Sequence, residues 1–153
     1  VYVYNAGLRS IPDDLGAPVV RDQFERAKGD VHAARRQGLY QSVEELSQGE
    51  ARLGRSPDAP RAHHARFRIA RGDEKLVSDL YLTVHRDHFV KIRCSRPDTE
   101  DAQRQAALAE LLDALGTMLR ASKTISWENV REQGSASALA LSLDRWERDT
   151  RSP

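Results

Sequence analysis

Between residues 63 and 94 the hydrophobic pattern runs at period two in three successive stretches, separated by breaks too short to hold a helix. His63, Ala65, Phe67 and Ile69 alternate with polar or basic residues until Gly72-Asp73 interrupts. Leu76, Ser78, Leu80, Leu82 and Val84 then alternate with Val77, Asp79, Tyr81 and Thr83. After Arg86-Asp87, Val90, Ile92 and Cys94 alternate with Phe89, Lys91 and Arg93. A parallel pair of strands needs a crossover of a dozen or more residues, so tight connections of this kind predict an antiparallel meander. One face is expected to be buried and the other partly so.

Helical periodicity flanks the meander. Val20, Phe24, Ala27, Val31 and Ala34 form one apolar stripe. Pro18 stands in the first turn, Arg35 and Arg36 in the last, and Gly38 follows as a stop. A second stripe, Leu108, Leu111, Leu112, Leu115 and Leu119, follows Pro97, with Asp98 or Thr99 as the expected cap. Residues 1–4 read as a strand, and residues 39–46 and 50–54 as short strand-like runs. Leu139, Leu143 and Trp146 fit a third, shorter helix, and Ile125 with Trp127 a short strand or docking segment. Long helices outside one antiparallel sheet predict an α+β single domain, an antiparallel β-sheet flanked by helices. The expected organisation is a core over 1–121, an extension over 122–149 whose short helix packs on the core, and a frayed tail at 150–153.

Charge balance and cysteine content narrow the partners. The chain has 24 basic and 23 acidic residues among 153, so no single-sign field marks it as a nucleic-acid binder. A lone cysteine, Cys94, excludes an internal disulfide. No apolar run approaches the roughly 18 residues that a membrane span requires. A strand already under way at Val1, with no initiator Met, carries the expectation of further sequence upstream, and with it of a processed or anchored precursor.

Two stretches carry a family resemblance. Tyr2-Val3-Tyr4-Asn5-Ala6-Gly7 followed by Ser10-Ile11-Pro12-Asp13-Asp14 resembles the opening of a group of bacterial cell-envelope proteins, periplasmic or lipoprotein. The strand-turn-strand from Ser78 to Arg93 resembles the same group. The element order over residues 1–120 is similar to that of the Mog1p/PsbP-like fold, in which an antiparallel sheet lies between helices as an α/β/α sandwich. The resemblance implies a non-catalytic adaptor, assembly factor or binding module of the periplasm or envelope. It also implies a protein partner and a lipid anchor upstream. It supplies no catalytic residues and no cofactor.

Candidate chemistry is sparse. His85 and His88 bracket the two-residue turn Arg86-Asp87, which opposes them directly with Cβ atoms about 5 Å apart. They are the candidate metal ligands, with Asp87, His63 or His64 as a third; exposed polar residues beside a turn are the competing reading. Arg66 and Arg68 share the polar face of one strand, and Tyr81 lies on the next. Together they are a candidate binding surface, and in the alternative of an intracellular ligand- or nucleic-acid-binding domain Tyr81 would stack a base. Cross-strand pairing of these arginines with Asp79 and other carboxylates competes with that reading. Arg93 and Arg96 stand near Cys94 and would activate it, whereas a buried, inert thiol is what its alternation with apolar neighbours predicts. No Gly-x-Ser-x-Gly, phosphate loop, Gly-x-Gly-x-x-Gly or His-Glu-x-x-His occurs, so no catalytic residues are assigned.

Overall fold

A computed structural model describes residues 1–99 and 101–121. The expected third helix at Leu139, Leu143 and Trp146, the segment at Ile125 and Trp127, and the tail lie outside them. In chain order the elements are β1 (Tyr2–Tyr4), α1 (Pro18–Arg36), β2 (Ser42–Arg52), β3 (Arg61–Arg71), β4 (Glu74–His85), β5 (His88–Pro97) and α2 (Ala102–Ala121). The five strands form one antiparallel sheet in the order β1-β5-β4-β3-β2. The α+β class and the meander follow the sequence pattern.

The chain divides into two compact units, one of Val1–Arg52 with Arg61–Glu100 and one of Leu53–Pro60 with Asp101–Pro153. The first holds the sheet and α1. Val20, Phe24, Ala27 and Val31 of α1 are buried with Ala65, Phe67, Ile69, Leu80, Leu82, Val84 and Phe89 in one core cluster. Phe67 and Phe89 are fully buried there, and each such aromatic removes roughly 150–250 Å² from water. Gln37, Gly38 and Leu39 donate backbone bonds to Ala33, Arg35 and Ala34, the Schellman pattern, with Gly38 at φ 79°.

The β4–β5 turn also follows the sequence. Arg86 and Asp87 both have positive φ, 48° and 61°, as a two-residue hairpin turn matching the strand twist requires. The Asp87 carboxylate accepts from Ser10 Oγ at 2.9 Å and from the Ile11 backbone N–H at 3.0 Å, tying the loop before α1 to this hairpin. Those two bonds, the backbone one first, hold its pKa below the usual carboxylate value.

Two expectations need correction. The runs at 39–46 and 50–54 are one continuous strand, β2, paired with β3 from Ser42 to Arg52. A register shift between Glu45 and Ser47 absorbs the break in pattern as a bulge, and exposure along this edge strand explains its weak periodicity. The cap of α2 is Asp101, whose Oδ1 accepts from the backbone of Gln103 at 3.0 Å and Arg104 at 3.2 Å. Asp98 is instead taken up by Arg68, which leaves the short acid nearest the helix to serve.

In the second unit, α2 buries Leu115, Gly116 and Leu119, while Leu108, Leu111 and Leu112 are half-buried. Its partner there is the connection Leu53–Pro60. Leu53 is fully buried and donates its N–H to the Pro60 carbonyl at 2.8 Å. A Cβ at Gly116 would lie 1.7 Å from the Leu53 carbonyl oxygen, so only glycine permits this approach. One turn earlier, Asp113 Oδ1 accepts from the Arg55 N–H at 2.9 Å.

Candidate functional site

Alternation places one set of side chains from β3, β4 and β5 on the sheet face away from the α1 core. Arg66 pairs with Asp79, His64 with Tyr81, and Asp79 with Cys94 across the ladders. Asp79 stands mid-strand on the central β4 with no solvent exposure. An ionised carboxylate there is stable only when its lone pairs are met.

They are met by three cationic or ionisable donors. Asp79 Oδ1 accepts from His64 Nε2 at 2.7 Å and from Arg66 Nε at 2.8 Å, and Oδ2 accepts from Arg96 Nη1. Burial alone would raise the Asp79 pKa. The bonds from His64, Arg66 and Arg96 outweigh it and hold the carboxyl well below the usual range. Because an ionised Asp79 can only accept, His64 Nε2 carries a proton, and the ring then stacks on Tyr81 at 4.5 Å between centroids and 19° between planes. Two guanidiniums against one carboxylate leave the cluster with excess positive charge before His64 is counted.

The neighbouring groups are quiet acids. Tyr81 is 4% exposed, and burial first, with the Asp79 charge, raises its phenol pKa. Burial pushes the Cys94 thiol up to about 11. The Arg96 charge, bound to Asp79, acts to lower the thiol pKa, but burial outweighs it; Cys94 is half-buried rather than fully buried as its alternation predicted. Arg68 is held by Glu44 at 3.1 Å and Asp98 at 3.0 Å, beside a depression of about 340 Å³ lined by Ser42, Ile69, Ala70 and Lys75. Arg66 and Arg68 stay 40% and 47% exposed at the side chain while so engaged.

The histidines are scattered by the fold. His85 and His88 are cross-strand partners, as the turn demanded. His63 faces the opposite side, bonded to the Leu15 carbonyl at 2.8 Å and stacked on Phe24. His64 belongs to Asp79 and stands opposite Tyr81, four residues along β4 from His85, roughly 13 Å at the rise of a strand. Asp87 is committed to Ser10 and Ile11. Among the described residues no group of three His, Cys, Asp or Glu side chains could hold a metal ion. Sequence reasoning anticipated the Arg66–Asp79 pair. It missed His64 and Arg96 as further partners, because their convergence depends on registers across three strands; a buried acid centred in an apolar run was the available signal.

Compared with protein-family models, curated proteins and solved structures, the chain matches none.

Proposed function

We propose that this chain is a non-catalytic binding or accessory protein of the bacterial envelope, recognising a protein partner through the sheet face that carries His64, Arg66 and Arg68. The observation that carries the reading is the threefold pairing of Asp79. A general base needs a pKa near the working pH and an open lone pair. Asp79 lacks the first, since three charged or ionisable donors on its two oxygens hold its pKa far below neutral and fix it as an anion. Cys94 and Tyr81 are likewise held protonated at neutral pH. What reaches solvent is pre-oriented guanidinium, a group suited to recognition. The envelope location rests on the resemblance of the two quoted stretches to cell-envelope proteins, and the α/β/α sandwich of Mog1p/PsbP type is the architecture it carries.

The test is site-directed photocrosslinking from position 68 in the native host, with fractionation of the full gene product. A discrete adduct in the envelope fraction, lost when Arg66 is replaced by Ala, is expected. A cytosolic product would remove the envelope reading. Binding to labelled single-stranded nucleic acid that collapses with salt would replace the protein partner.

A further inference from the structure

On the other sheet face, Arg93 stands beside Leu80 and the Ser78–Ser95 pair. It is half-buried. Its Nε donates to Ser78 Oγ at 3.2 Å and its Nη2 to Tyr40 Oη at 3.1 Å, and its guanidinium carbon lies 5.7 Å from the Tyr40 ring centroid. Ser95 Oγ donates to the same Ser78 oxygen at 2.9 Å. Arg61, Arg66, Arg68, Arg71 and Arg96 each reach a carboxylate. Arg93 reaches none among the described residues. Among the described residues, this half-buried cation is held in place by neutral hydroxyls, with no partner at Nη1 and no counterion.

A second cation stands next to it. Lys91 lies two residues earlier on the same face of β5, roughly 7 Å away along the strand. Its Nζ is 5.0 Å from the Tyr2 ring centroid and 5.9 Å from that of Tyr4. Its acidic neighbour, Asp30 Oδ2, is at 3.8 Å on a side chain 72% exposed. The Tyr2 phenol, pushed up to about 12 by burial against the lowering effect of the Arg93 charge, stays protonated at this edge. Two cations and one loosely held acid leave net positive charge on a surface of aromatic rings and hydroxyls.

We propose that Arg93 and Lys91, framed by Tyr2 and Tyr40, form a binding site for a small oxyanion, the phosphate or carboxylate group of a small ligand. Ser78 and Tyr40 fix the guanidinium plane and leave the Nη1 edge to take the anion; Lys91 supplies the second positive charge. The site is on the face opposite the Asp79 cluster and does not depend on the function proposed for that cluster.

The experiment is a titration of the full chain with sodium phosphate and, separately, sodium acetate, at ionic strength held constant with chloride. It is followed through the arginine Nε–H cross-peaks in nitrogen–proton NMR spectra. The Arg93 cross-peak should move and saturate, and the tighter of the two anions names the ligand group. Arg93→Gln should weaken that anion about tenfold or more, the loss of one charge-assisted contact. Lys91→Gln, which leaves the Ser78 and Tyr40 contacts in place, should weaken it several-fold, so the proposal stays testable if Arg93→Gln does not fold. No saturating shift with either anion, or the same affinity in Lys91→Gln as in the parent, would overturn it.

Discussion

Asp79 concentrates most of the chemistry of this protein in one side chain. Removing one member of a buried, hydrogen-bonded ion cluster leaves the others uncompensated, at a cost of roughly 3–5 kcal/mol. Asp79→Asn is therefore expected to lower the urea midpoint by that free energy, with Arg66 and Arg96 left facing a neutral amide. The pH dependence follows from the depressed folded-state pKa. The unfolded chain takes the proton more readily, so stability rises with pH through the acid range. The contribution of Asp79 is complete above the ordinary carboxylate value of about 3.9 and drains away as the pH falls below it. Urea midpoints measured from neutral pH downwards should show this loss in the parent and lack that component in Asp79→Asn. At this scale the sequence was half legible. Arg66 and Asp79 could be paired from adjacent alternating strands, but Arg96 and His64 could not, since neither stands directly opposite Asp79: His64 faces Tyr81, Arg96 faces Val77, and only the final registers bring both diagonally to its oxygens.

At the scale of elements, the two helices end and dock by different devices. Gly38 closes α1 in a left-handed conformation, and a Cβ there would meet nothing within 4 Å. Gly38→Ala thus isolates backbone strain, and thermal unfolding should report a loss of about 1–2 kcal/mol. Gly116 is the opposite case, a helical glycine kept for contact. Gly116→Ala would drive a methyl into the Leu53 carbonyl oxygen, so α2 must shift away from the Leu53–Pro60 connection. The expected cost is roughly 1–3 kcal/mol, with hydrogen-exchange protection lost first at the Leu53 and Arg55 amides. Gly38 was legible in sequence because a stop after a periodic stripe with basic final residues is a local signal. Gly116 was not, since its reason is a carbonyl more than sixty residues away in the chain.

At the scale of the sheet, β2 is an edge strand with no neighbour on its outer side among the described residues, and its side chains are exposed along almost its full length. Natural edges avoid pairing with other chains by charge and by bulges. β2 has both, in Glu44, Glu45 and Glu50 and in the irregularity between Glu45 and Ser47. Ser47→Ile together with Gly49→Val would flatten and grease this edge, and nothing lies within 4 Å of a Cβ built at position 49. The double variant should self-associate with concentration in sedimentation velocity runs under conditions where the parent does not.

What the sequence determined by itself was the set of elements and the way most of them join. The period-two runs dictated β3, β4 and β5 and their antiparallel order, and the apolar stripes dictated α1 and α2, because side-chain periodicity is a local consequence of strand and helix geometry. Tertiary structure decided what needed distant partners. It placed β1 beside β5, with Tyr2, Val3 and Tyr4 against Lys91, Val90 and Phe89. It joined β2 into one strand along β3, brought four side chains from three strands together at Asp79, and, among the described residues, left Arg93 without a carboxylate on the other face. Each of these outcomes depends on register between segments far apart in the chain, and alternation within a segment says which face a residue takes but not which residue it will meet there.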